Sequence, residues 1–142
     1  MTYSFVFNLH YSFTLYMTGV IWLIQTIHYP LFKLVGESTF SDYHKNHIQK
    51  TSLVIAVPMI LEIISGLYLL VFNEAYRNNS LFLSACALLL GIWLVTFFIS
   101  VPKHNILAKG FNEAAVSSLI STNWIRTIAW SLRAIILFFL LN

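Results

Sequence analysis

His44 and His47 stand three residues apart, a spacing that turns both imidazoles to one face of a helix and makes them a usable pair of metal ligands. His28 and His104 add imidazoles from distant parts of the chain. Together His28, His44, His47 and His104 are candidates for a His-ligated transition-metal site. Imidazole also titrates closest to neutral pH, so His28, His47 and His104 are candidate catalytic bases. No H-E-x-x-H, Glu-x-x-His or Cys partner accompanies them. A haem fits less well, because only His28 is near enough to the inside of a helical bundle to serve as an axial ligand.

Glu62 and Arg133 carry the second signal. Each interrupts an apolar run, Glu62 11 residues past Thr51 and Arg133 10 residues past Asn123. At about 1.5 Å per residue both reach roughly 15 Å into their runs. An isolated charge at such depth is strongly disfavoured, so the two are expected to meet, directly or through a water. The pair then fixes helix register, or binds a polar substrate group, or relays protons. Glu62 lies about 22 Å along its helix from His47, too far to share a metal with it.

Composition defines the elements that hold these residues. Of 142 residues, 58% are hydrophobic and 9% charged, against about 25% charged in a soluble domain. Mean hydropathy is +0.78. This balance excludes a disordered chain and an ordinary cytosolic enzyme. Eight Lys and Arg are too few to track phosphates, which excludes nucleic acid as a partner. The single cysteine, Cys86, excludes an intramolecular disulfide. Four apolar windows, about 11–31, 52–72, 81–101 and 124–141, are each long enough to cross a bilayer. They lack period-two alternation, so helices rather than barrel strands are expected. The N-terminus has neither a basic n-region nor a small-residue cleavage site, so it is not read as a cleavable signal. The expected fold is all-α: one integral membrane domain over 1–142, an antiparallel four-helix bundle in the lipid bilayer. Self-association into a homo-oligomer stays open.

Basic residues orient the bundle. Lys33, Lys45 and Lys50 lie in the first connection, and Lys103 and Lys109 in the third with Arg126 at its edge. The opposite side has Arg77 alone. Both termini of this multi-pass chain are thus expected on the non-cytoplasmic side. Ser38 or Thr39 is expected to cap the second helix, Pro58 to be a potential kink in it, and Asn112 to cap the last connection. Ala114, Ala115, Val116 and Leu119 there suit a helix lying at the interface. Helical spacing assigns inward stripes to Thr14, Thr18, Trp22, Gln25 and His28; to His44, His47, Thr51, Pro58, Glu62 and Ser65; to Thr96, Ser100 and His104; and to Asn123, Arg126, Trp130 and Arg133. The expected product is a cavity open to the cytoplasm, polar at its mouth and aromatic deeper down.

Val101–Pro102 followed by Asn105 and Leu107, then Asn123, Arg126 and Thr127 opening the last helix, resembles the anthrone oxygenase-like family of small four-span membrane proteins. That family's pattern is roughly Val-Pro-x-x-Asn, then Trp-Asn-x-x-Arg-Thr, and the likeness covers about residues 90–140. Thr122 stands where the pattern has Trp, and His104 where Asn is common. The resemblance implies oxidation by dioxygen of a flat phenolic polycyclic ketone to a quinone, with no established cofactor. It makes Asn105, Asn123 and Arg126 candidate substrate-binding groups beside Glu62 and Arg133. A guanidinium with amide donors can stabilise a phenolate or carbanion. Two functions follow: a membrane oxidoreductase or oxygenase acting on a lipophilic aromatic or quinone-like small molecule, or a non-enzymatic ligand binder, transporter or assembly subunit.

Overall fold

The structure is a computed structural model and describes residues 2–141. Among the described residues every regular element is a helix and no strand occurs. We label five helices: α1 over 2–34, α2 Glu37–Phe72, α3 Glu74–Arg77, α4 Ser80–Leu107 and α5 Glu113–Phe138. Two of them, α2 and α4, are long and apolar enough to cross a membrane. α1 packs along α2 and α5, and α5 packs along α4. The order around the molecule is therefore α2, α1, α5, α4, with α2 and α4 flanking a cleft.

Two of the long helices contain a wider turn. α1 is α-helical over Thr2–Leu23, opens into a π turn over Ile24–His28, and closes with a 3-10 turn over Phe32–Leu34. α4 has a π turn over Thr96–Ser100. In each, the N–H just beyond the turn reaches back five residues, Tyr29 to Ile24 and Val101 to Thr96. The next residue in each case is proline, Pro30 or Pro102. Its ring collides with the carbonyl four residues back and it has no N–H to donate, so the preceding turn widens. Pro58 has a milder effect, and α2 continues through it from Glu37 to Phe72.

Several local expectations need correction. α2 begins at Glu37 with Gly36 as its cap residue, and no side chain caps it. The Thr39 hydroxyl donates to the Gly36 carbonyl instead of capping, and Ser38 lies inside the helix. Asn112 does cap α5, its side-chain oxygen accepting from the Ala115 N–H at 2.8 Å. No separate interfacial helix follows. Residues from Glu113 onward are already α5, and Ala115, Val116 and Leu119 are buried against Phe32, Phe40 and Leu107. Trp22 is not inward: it is exposed, donates to Ser131 and meets Trp124 edge-on. The inner face of α1 runs instead through His10, Thr14, Met17, Ile21 and Gln25.

Polarity is distributed in the reverse of a water-soluble protein. Large apolar side chains such as Leu53, Ile64, Leu67, Leu90, Phe98 and Ile135 are exposed, while His10, Thr14, Glu62, Asn123, Thr127 and Arg133 are buried. Inside, three apolar clusters alternate with two polar layers. Phe7, Leu69, Phe82 and Leu137 form one end, Met17, Met59, Ile92 and Trp130 the middle, and Phe32, Phe40, Leu107 and Leu119 the other end.

Candidate functional site: a histidine cluster beside an apolar cleft

The first polar layer is closed on itself except at Arg133 Nε, which is buried with no partner. Arg133 donates to Glu62 Oε1 at 2.8 Å, with both side chains fully buried, so the expected pair forms directly. The guanidinium also reaches Thr14 and the Ala85 carbonyl, and Trp130 Nε1 donates to Glu62 Oε2. His10 completes the layer. Its Nδ1 faces Ser65 Oγ at 2.9 Å and the Glu62 carbonyl at 3.0 Å, and its Nε2 faces Arg133 at 3.3 Å. The Ser65 hydroxyl donates to the Leu61 carbonyl. The consistent tautomer therefore carries the proton on Nδ1 and accepts from Arg133 on Nε2. Sequence reasoning left His10 out, although it sits four residues before Thr14 on the same face.

A substitution test reads out how tightly this layer is set. A Cβ added at Gly66 would lie 3.1 Å from His10 Cε1. Alanine normally stabilises a helix interior by about 1 kcal/mol over glycine. Here the ring is held at both nitrogens and cannot yield, so Gly66→Ala is expected to destabilise by about 1–3 kcal/mol. Gly19→Ala and Gly91→Ala, which meet open space, are expected to be neutral or stabilising in the same thermal melts.

The second polar layer leads to the cleft. Gln25 donates to the Ile120 carbonyl and accepts from Asn123, whose oxygen in turn accepts from Arg126 Nε at 3.0 Å. Arg126 also reaches Thr96 Oγ1 at 3.3 Å and the Tyr29 hydroxyl at 3.4 Å. It is buried, and among the described residues no carboxylate lies within ion-pair distance of it. The cleft of about 310 Å³ that it lines runs between α2 and α4. Ile55, Met59, Trp93 and Phe97 form its apolar wall, and Tyr29, His47, His104 and Arg126 its polar end. Ser52, Phe97, Val101 and Asn105 at its rim are exposed, so it opens along the α2/α4 flank. Two buried polar atoms at the cleft lining, Trp93 Nε1 and Ser100 Oγ, have no partner within the chain.

Four histidines meet at the polar end. The π turn in α1 ends on His28 and is followed by Tyr29, the one in α4 precedes His104, and α2 supplies His44 and His47. His28 Nε2 lies 2.6 Å from His47 Nδ1, and His44 Nε2 lies 3.1 Å from His104 Nδ1. The Tyr29 hydroxyl is 3.1 Å from His104 Nε2. Ring centroids are separated by 4.5 Å for His28–His47, 5.3 Å for His44–His104, 5.8 Å for His47–His104 and 5.9 Å for His44–His47. Phe32 packs edge-on against His28, His44 and His47. His44, His47 and His104 lie outside the apolar stretches 52–72 and 81–101. Burial, reinforced at His47 and His104 by the neighbouring imidazoles, holds all three below the ordinary histidine pKa. They are thus neutral near pH 7 and available as bases or ligands.

Of the candidate residues, the structure brings His28, His44, His47 and His104 together and sets Arg126 and Asn105 on the adjoining cleft. Glu62, Arg133 and Asn123 do not line that cleft; apart from Arg133 Nε, which is buried without a partner, their polar side-chain atoms pair with other side chains and backbone. Tyr29, which links His104 to Arg126, was missed. Its signal was its position directly before Pro30. No family model, no curated protein and no solved structure matches the chain.

Proposed function

We propose that the chain is an integral membrane four-helix bundle that oxidises a lipophilic aromatic or quinone-like molecule held in the α2/α4 cleft. The membrane reading is supported by the inverted polarity and by the two long apolar helices. Only 28% and 22% of their most apolar windows are buried, whereas the core helix of a soluble protein is mostly covered. In this reading α1, α2, α4 and α5 all span the bilayer, and both termini face away from the cytoplasm.

One observation carries the functional reading: Arg126 is a buried cation without a carboxylate, facing an apolar cleft beside neutral imidazoles. A guanidinium in that setting favours an oxygen that becomes anionic during reaction. For an anthrone, His47 or His104 removes a proton from the methylene carbon while Arg126 and the Tyr29 hydroxyl face the resulting enolate oxygen. The methylene carbon loses two hydrogens and gains one oxygen atom of dioxygen; the other oxygen atom leaves as water. A cleft open on the helix flank suits a substrate arriving from the lipid.

The test is dioxygen uptake by protein in lipid nanodiscs given anthrone or a short-chain quinol. Protein-dependent oxidation is expected, with kcat/KM falling about 100- to 1,000-fold in Arg126→Gln. Quenching of tryptophan fluorescence by these compounds without any oxygen uptake would favour the non-enzymatic binder instead. Neither quenching nor uptake would remove the cleft as a site for this class of molecule.

A further inference from the structure

Within the chain the histidine cluster pairs almost wholly with itself. Buried imidazoles normally spend their nitrogens on carbonyls, carboxylates or water. Here the partners found for the rings are one another and the Tyr29 hydroxyl, and His44 Nδ1 is buried with no partner at all. The four rings come from three helices, and two of those helices are widened by π turns just where the histidines are presented. π turns concentrate at functional sites.

We propose that His28, His44, His47 and His104 bind one first-row transition-metal ion at the end of the cleft. With metal–nitrogen bonds of about 2.0–2.1 Å, two imidazole nitrogens on a tetrahedral ion lie about 3.3 Å apart and their ring centroids about 5.2 Å apart. His44 and His104 already stand at 3.1 Å and 5.3 Å. The His28–His47, His44–His47 and His47–His104 centroid separations, 4.5 to 5.9 Å, bracket the same value. As the side chains stand, the nitrogens meet in two pairs, and among the described residues no three His, Cys, Asp or Glu groups converge on one point. The 2.6 Å His28–His47 contact is several tenths of an ångström shorter than two ligands of one ion require, so binding needs those two rings to move apart.

The donor set defines the metal class. Neutral imidazoles without a carboxylate or thiolate suit zinc, copper, nickel, cobalt or iron and not magnesium or calcium. Phe32 and Phe40 shield the rings on one side, while His47 and His104 face the cleft on the other. The Arg126 guanidinium, one phenol away, disfavours a second cation at this end of the cleft. The site rests on the histidine geometry and stands whether or not the cleft oxidises a quinol. Ligation takes up the imidazole lone pairs, so His47 and His104 act as proton acceptors only in the metal-free cluster.

The experiment is a cobalt(II) titration of untagged, chelator-stripped protein in detergent, followed by visible absorption and thermal melting. About one cobalt per chain is expected, with nitrogen-ligated d–d bands and a rise in Tm. His44→Gln/His104→Gln is expected to weaken binding by more than the roughly 10- to 100-fold that losing an outer-shell partner costs. Arg126→Gln is expected to keep the bands, which separates this site from the oxidation chemistry. Wild-type protein that shows neither bands nor a Tm shift overturns the proposal, independently of how any variant folds. Bands that persist undiminished in the double variant overturn it as well.

Discussion

Arg133→Ala is expected to lower stability by about 3–5 kcal/mol, while the double variant Glu62→Gln/Arg133→Met loses far less. The reason is what each change leaves behind. Removing the guanidinium alone strands the Glu62 carboxylate, fully buried, with only the Thr14 hydroxyl and the Trp130 indole N–H as donors. His10 Nε2 loses its donor in the same stroke, and the Ala85 carbonyl loses the guanidinium. The double variant removes both charges together, keeps side chains of similar length, and leaves an amide that Thr14 and Trp130 can still satisfy in part. Thermal unfolding in detergent micelles measures the difference. Equal losses in the two variants would mean that the pair contributes packing and not charge compensation.

Phe32→Ala is expected to cost about 3–5 kcal/mol and to disorder the histidine cluster along with it. Phe32 is fully buried. Its ring meets His28 at 5.4 Å, His44 at 5.8 Å and His47 at 5.1 Å between centroids, all edge-on, and Phe40 at 6.0 Å. Among the described aromatic rings Phe32 alone meets imidazoles of both α1 and α2 edge-on, so the ring acts as the wedge that fixes their separation. Denaturation gives the first number, and the spread of histidine ring resonances in NMR gives the second. Phe32→Leu retains more of the volume and is expected to cost less. A loss below about 1 kcal/mol in Phe32→Ala would show that the neighbouring rings close over the gap.

The polar face of α2 was legible because the helix is regular. Of the six residues chosen by spacing, His44, His47, Glu62 and Ser65 are buried and Thr51 and Pro58 half-buried, and the helix continues through Pro58 without disturbing the count. The same held for Asn123, Arg126, Trp130 and Arg133 on α5. On α1 the count failed at Trp22. Successive steps of four turn about 400° each and drift about 40° past a full turn, so the stripe walked off the inner face. Which groups the amides would pair with was not legible: beside the expected tie of Glu62 to Arg133, the structure ties Asn123 to Gln25 and Arg126. The cleft itself depends on α2 and α4 standing side by side without packing closely, a neighbour relation that no single helix encodes. Tyr29 was hidden for a related reason, since its role comes from the turn that Pro30 widens.

Those two widened turns have a consequence for counting residues. A π turn houses one residue more than an α turn over nearly the same rise, so Ile24–His28 and Thr96–Ser100 each absorb one extra residue without displacing the helix beyond them. A chain with the same outline and plain helices would be shorter by one residue at each place, within a helix and not in a loop. An alignment that allows gaps only between helices would slip there, pairing His28 and His104 with their outward neighbours. Two single-residue gaps inside helices, each just ahead of an X-Pro step, are therefore the mark by which to separate chains that keep this site from chains that keep only the scaffold.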